Sequence, residues 1–124
     1  MPSPSPRPER LERSETLRLT THYRRCYASG RRKGGTYLLL YYLPNEIDRP
    51  RLGLTASGKV GPSVVRHRLK RWGRELYRRF PRRAALAPYD FVMHFKPQAA
   101  KASFADFKQE FERLLGTLVA GSRA

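Results

Sequence analysis

One apolar stripe constrains the fold of this chain more than any other feature. Val65, Leu69, Trp72, Leu76 and Phe80 recur at steps of four, three, four and four, the spacing that lines up side chains on one face of an α-helix. The residues between them are mostly cationic: residues 64–83 carry nine Arg or Lys against the single acid Glu75. Such a helix must be docked along the stripe and exposed elsewhere, because unpaired cations are too costly to bury. At about 100° per residue, Arg66, Lys70 and Arg74 climb one flank, Arg68 and Arg79 lie on the other, and Arg71 and Arg78 point outward.

The formal net charge of +16 is concentrated in two places. Residues 64–83 hold +8, and residues 16–35, with six basic residues and no acid, hold +6. Self-repulsion of that order opposes compaction, and solubility alone requires neither so much charge nor its clustering, so a polyanionic partner is expected. Other classes are excluded or disfavoured. The longest apolar run, Tyr37 to Leu43, is strand-length and far short of a membrane span. The first ten residues, MPSPSPRPER, lack the apolar core of a secretory signal. A single cysteine, Cys26, rules out an internal disulfide framework and a multi-cysteine zinc site, which suits a reduced, cytoplasmic compartment.

The Pro- and Ser-rich residues 1–15 read as a disordered tail, followed by one domain over residues 16–120 and a short tail at 121–124. A helix capped by the hydroxyl of Thr20 or Thr21 runs to a stop at Gly30, and Arg31–Gly35 reads as a mobile basic loop. Strands are expected at Thr36–Pro44, Arg51–Ser57 and Tyr89–Pro97, with Tyr37 and Tyr41 on one face of the first and Tyr42 on the other. Ser63 is the expected cap of the basic helix. Ser103 opens a final helix that buries Phe104, Phe107, Phe111, Leu114, Leu115 and Leu118. Helices alternating with strands in a short chain give an α+β sandwich.

The basic helix suits phosphate neutralisation, with Arg offering a bidentate fork. Tyr23 and Tyr27 share a helix face beside Arg24 and Arg25, where rings can stack unpaired bases. His22, His67 and His94 are scattered, no carboxylate pair stands out, and Cys26 reads as a buried helix-face thiol. No residue set supplies a metal-activated water, so the chain reads as a binder rather than a nuclease. A membrane-surface role is weaker, because the fold needs the stripe. A general RNA-binding or ribosome-associated module is the alternative reading.

The segment RLGLTASGKVGPSVVRHRLKRWGRELYRRF resembles the signature region of the bacterial ribonuclease P protein subunit. Arg51, Gly53, Leu54, Ser57, Lys59 and Gly61 match the strand-and-loop part, and Arg66, Arg68, Lys70, Arg71, Arg74 and Glu75 match the helix. HYRRCY is similar to the family's aromatic pair, and the resemblance extends through YDFVMHFKP to the last helix. The departures are His67 in place of an Asn, Gly58 in place of a Lys, Pro62 where Asn or Lys is common, and the Trp72-Gly73 pair. Gly73 implies close approach of RNA or another helix, or room for Trp72.

The resemblance implies an α-β-β-β-α-β-α sandwich, a small mixed sheet with a left-handed βαβ crossover presenting the basic helix. It implies a catalytic RNA subunit with Mg2+ that cleaves precursor tRNA at its mature 5′ end, with one protein per RNA. Arg66, His67, Arg68, Lys70, Arg71, Arg74 and Lys59 are the expected RNA contacts. Tyr23, Tyr27, Tyr41, Thr55 and Ser57 are the expected cleft for the single-stranded 5′ leader. No catalytic or metal-ligating side chain is expected in the protein.

Overall fold

The computed structural model describes residues 16–119, so both expected tails lie outside the described residues. The element order is α1 (Thr20–Ser29), β1 (Arg31–Gly34), β2 (Leu38–Pro44), β3 (Arg51–Ala56), α2 (Ser63–Arg78), β4 (Tyr89–Phe95) and α3 (Phe104–Gly116), with 3-10 turns at Arg83–Ala85 and Pro97–Lys101. The strands form one mixed sheet in the order β1-β2-β4-β3. β2 is antiparallel to both β1 and β4, whereas β3 runs parallel to β4, so α2 is the crossover between two neighbouring parallel strands.

Side chains alternate across the sheet and divide it into two layers. Leu38, Leu40, Leu52, Phe91, Met93 and Phe95 face α2 and α3, where Leu69, Leu76, Tyr77, Phe107, Phe111, Leu114 and Leu115 complete the main core. The opposite face carries Tyr41, Leu43 and Val92, and α1 closes part of it with Tyr23 and Cys26. The stripe on α2 docks as its spacing requires. Leu69, Leu76 and Phe80 are buried, Val65 and Trp72 pack at the margin, and Phe80 lies just beyond the helix end. Tyr77, which stands off the stripe, is buried as well.

Several local expectations are corrected. Arg31–Gly34 is a strand, not a mobile loop: it pairs along β2 from Arg31↔Tyr42 to Gly34↔Leu39 and supplies the fourth strand. The hydroxyl caps are absent from α1 and α2, whose cap positions are Leu19 and Pro62, while Ser103 does cap α3 by accepting from the Asp106 N–H at 3.1 Å. Tyr37 precedes β2 and packs toward the main core, so it does not share the face of Tyr41. Phe104 is 41% exposed, with its ring edge-to-face against Trp72 at 5.2 Å between centroids. Arg78 does not point outward. Its side chain is 11% exposed and pairs with Glu75, which also holds Arg79 at 2.6 Å.

Two buried carboxylates pin the framework. Glu110 of α3 accepts the backbone N–H groups of Thr36, Tyr37 and Leu38 at 2.7–2.8 Å, and so fixes the β1–β2 turn. Asp90 of β4 receives both arms of Arg51 at 2.8 Å and the Asn45 amide at 3.0 Å. Burial works to raise the Asp90 pKa, but the hydrogen bonds from Arg51 and Asn45 prevail and hold it below its ordinary value.

Candidate nucleic-acid interface

The two expected sites lie on either side of β3. Gly53 of that strand sits directly under Tyr23: a Cβ there would come within 2.6 Å of the Tyr23 ring. Tyr23 is half-buried against Leu17, Cys26 and Val92, and its hydroxyl is 3.4 Å from the Leu17 carbonyl. It forms the wall of the cleft, and Tyr27, one helical turn on, forms the opening.

Tyr27 is 38% exposed. Its ring stands edge-on to Tyr41 at 4.7 Å, and its hydroxyl lies 2.7 Å from Thr55 Oγ1 and 3.2 Å from His94 Nδ1. Thr55 and His94 are themselves 3.0 Å apart, so the three polar groups close a triangle. Tyr27 can donate to Thr55, and Thr55 to the bare Nδ1 of a neutral imidazole. Burial lowers the His94 pKa from its ordinary 6.5 and favours that neutral form. Burial likewise raises the Tyr27 phenol, against the opposing effect of its hydrogen bond with Thr55.

Tyr27, Tyr41 and Thr55 therefore converge, with Tyr23 beside them. Ser57 does not join them. It lies past the end of β3, exposed, with its Oγ accepting the Lys59 N–H at 3.3 Å. His94, one of the three scattered histidines of the sequence, is brought into the cluster by the fold. Its register opposite Thr55 across the parallel β3–β4 pair is a tertiary fact. Cys26 is fully buried behind the cleft, 3.5 Å from the Asp90 carbonyl, and burial pushes its thiol up to about 11, so it is a packing group and not a nucleophile.

On α2 the expected RNA contacts fall into two groups. His67, Arg71 and Arg74, with Lys59 in the preceding loop, are exposed. Arg66, Arg68 and Lys70 are half-buried. Arg66 Nε donates to the Gly61 carbonyl at 3.1 Å, fixing the loop before the helix. Arg68 donates to the Ala100 carbonyl at 3.2 Å and lies 5.2 Å from the centre of the Trp72 ring, so it braces α2 against the turn before α3. Gly73 faces the protein interior, where a Cβ would lie 3.0 Å from Leu54 and 3.4 Å from Phe111. Close approach of β3 and α3, not of RNA, explains this glycine.

The exposed donors are cationic or neutral nitrogen groups, which suit phosphate and not a hard cation that demands oxygen ligands. The two buried carboxylates are already taken up by Arg51 and Asn45 and by backbone N–H groups. Among the described residues, no group of carboxylate, histidine or cysteine side chains is placed to hold a metal ion.

Comparison with known proteins places the chain in a family. The family model described as Ribonuclease P matches residues 11–119. The ribonuclease P protein component of Caldanaerobacter subterraneus is 33% identical over 84% of this chain and 89% of its own length. That of Acidothermus cellulolyticus is 36% identical over 82% and 86%. Among solved structures, the RNase P protein from Thermotoga maritima superposes with a TM-score of 0.73 at 26% identity, covering 82% of this chain and 94% of that one. With an aromatic cleft and a basic crossover helix set on a shared strand, the chain belongs to the ribonuclease P protein family and is a protein component of the endoribonuclease that processes tRNA.

Proposed function

We propose that the protein divides its two surfaces between two RNAs. The basic side chains of α2, chiefly the half-buried Lys70 and the exposed Arg71 and Arg74, with Lys59 and the His67 imidazole, hold phosphates of the catalytic RNA, while Tyr27, Tyr41, Thr55 and Tyr23 receive the single-stranded 5′ leader of precursor tRNA. The observation that carries this reading is the pairing of an exposed ring, Tyr27, with a polar triangle beneath it. Core tyrosines bury their rings, whereas this one leaves part of its face open beside Arg24 and Arg25, both exposed. Unpaired bases stack on such a ring, which duplex RNA does not offer.

Cleavage chemistry and its Mg2+ belong in this reading to the RNA, and one protein serves one RNA in the cytoplasm. The protein improves substrate affinity by adding leader contacts to those the RNA makes. Reconstitution tests it. Protein freed of RNA should not cut precursor tRNA, and its addition to a bacterial ribonuclease P RNA should tighten binding of leader-bearing precursor more than of mature tRNA. Equal tightening of both would remove the leader from the cleft. Equal affinity for unrelated structured RNAs would favour a general RNA-binding module.

A further inference from the structure

The strand β1 carries charge that neither surface uses. Arg31 and Arg32 are exposed, and among the described residues they make no ion pair. Arg31 lies opposite Tyr42 in the β1–β2 register, and Pro44 lies opposite Tyr89 across β2–β4. Directly opposed residues share a sheet face, so Arg31, Tyr42, Pro44 and Tyr89 stand together, on the face opposite Tyr41. They line, with Ser29 and Leu43, a recess of about 340 Å³ at the end of the sheet. That volume sits at the small end of the range for ligand sites.

The lining is unusual for a strand end. Tyr42 and Tyr89 pack ring to ring at 5.8 Å with an interplanar angle of 38°. Both rings are half-buried, resting on the main core. Lys33 Nζ lies over Tyr42 at 5.8 Å from the ring centre, so a cation and not an apolar group approaches that face. Paired rings next to a free guanidinium combine a stacking platform with a phosphate donor. A free anion would need no rings, and an apolar ligand would need no Arg31.

We propose that this recess is a second nucleotide pocket, which takes one unpaired RNA nucleotide with its base against Tyr42 and Tyr89 and its phosphate on Arg31. The proposal goes beyond the cleft reading and rests only on the protein's binding RNA. Two sources share the chemistry. The leader is one, because α1 carries Tyr27 in the cleft and ends at Ser29 on the rim of the recess. An unpaired nucleotide of the catalytic RNA is the other.

Holoenzyme binding to precursor tRNAs whose leaders are lengthened one nucleotide at a time separates these sources, with Arg31→Glu and Tyr89→Leu as probes. Arg31 is exposed, so its variant tests the site without a folding cost, and thermal melting checks Tyr89→Leu. If the leader fills the recess, wild-type holoenzyme gains affinity at a particular leader length and both variants lose that gain, by about 5-fold or more. If the catalytic RNA fills it, both variants weaken assembly by a similar factor at every leader length, mature tRNA included. Tyr27→Ala, run in parallel, reports on the cleft separately, since its loss should appear with leaders too short to reach the recess. Folded Arg31→Glu and Tyr89→Leu proteins that match wild type in both assembly and leader binding would overturn the proposal.

Discussion

Replacing Tyr27 separates the proposed stacking from the hydrogen bonding in the cleft, because the two use different parts of one side chain. Tyr27→Ala removes the ring. It loses the edge-to-face contact with Tyr41 at 4.7 Å, worth about 0.5–1.5 kcal/mol of stability, and the surface proposed to stack a leader base, worth about 1–3 kcal/mol. Affinity for leader-bearing precursor should therefore fall by about 5- to 150-fold. Tyr27→Phe keeps the ring and removes only the hydroxyl. Thr55 and His94 stay bonded to each other at 3.0 Å, so no buried partner is orphaned and the cost is that of one ordinary hydrogen bond, about 1 kcal/mol. Leader affinity should change by less than about 5-fold. The assay is equilibrium binding of precursor and mature tRNA to holoenzyme, with melting curves for each variant. Mature tRNA should bind all three proteins alike. A folded Tyr27→Ala protein that loses affinity for both RNAs equally refutes the leader assignment, and a Phe variant as damaged as Ala refutes stacking.

Lys70→Ala and Arg71→Ala should each lower the slope of log affinity against log salt for assembly with the catalytic RNA by about 1; unchanged slopes would place both side chains off the interface. Arg68→Ala should lower the melting temperature as well, because it also releases the Ala100 carbonyl and the Trp72 ring. Asp90→Asn should destabilise the fold at neutral pH. The depressed Asp90 pKa means that the stability it contributes is present above the ordinary value of 3.8 and is lost as pH falls through the lower folded value. The difference between wild type and variant in urea midpoint should accordingly shrink below about pH 4, and a constant difference would detach the effect from that carboxylate. Glu110→Ala leaves the N–H groups of Thr36, Tyr37 and Leu38 without their acceptor, and should cost about 3 kcal/mol, or roughly 10 °C or more in thermal midpoint.

The docked helix was legible because its stripe depends only on local periodicity. The aromatic pair Tyr23 and Tyr27 was legible for the same reason. What sequence missed depends on partners distant in the chain. Arg31–Gly34 has the composition of a loop, and only its hydrogen bonds to β2 make it a strand. Glu110 looks like one more surface acid on an amphipathic helix, yet its acceptors are satisfied by backbone groups more than 70 residues away. Arg78 sits on the outward side of the helical wheel, but its long stem lets the guanidinium fold back to Glu75. Phe104 obeys the apolar period of α3 yet lies in its first turn, where the layer thins to the Trp72 edge. His94 joined the cleft only through the β3–β4 register, which no local pattern specifies.

That register also explains why one short strand carries so much of the family resemblance. Alternation sends Arg51, Gly53 and Thr55 to the α1 face, where they meet Asp90, the Tyr23 ring and the Tyr27 hydroxyl in turn. The same alternation sends Leu52 and Leu54 to the other face, where Leu54 reaches Gly73 of α2. The cleft and the basic helix are thus referenced to the two sides of a six-residue strand, with little but side-chain packing between them. Close-packed interiors deform poorly, so the separation between the aromatic cleft and the cationic helix is set by the widths of these few side chains. A bulkier residue at position 53 would lift Tyr23, and one at position 73 would push α2 away from Leu54. The two glycines are spacers that fix how far apart the fold holds the aromatic cleft and the basic helix.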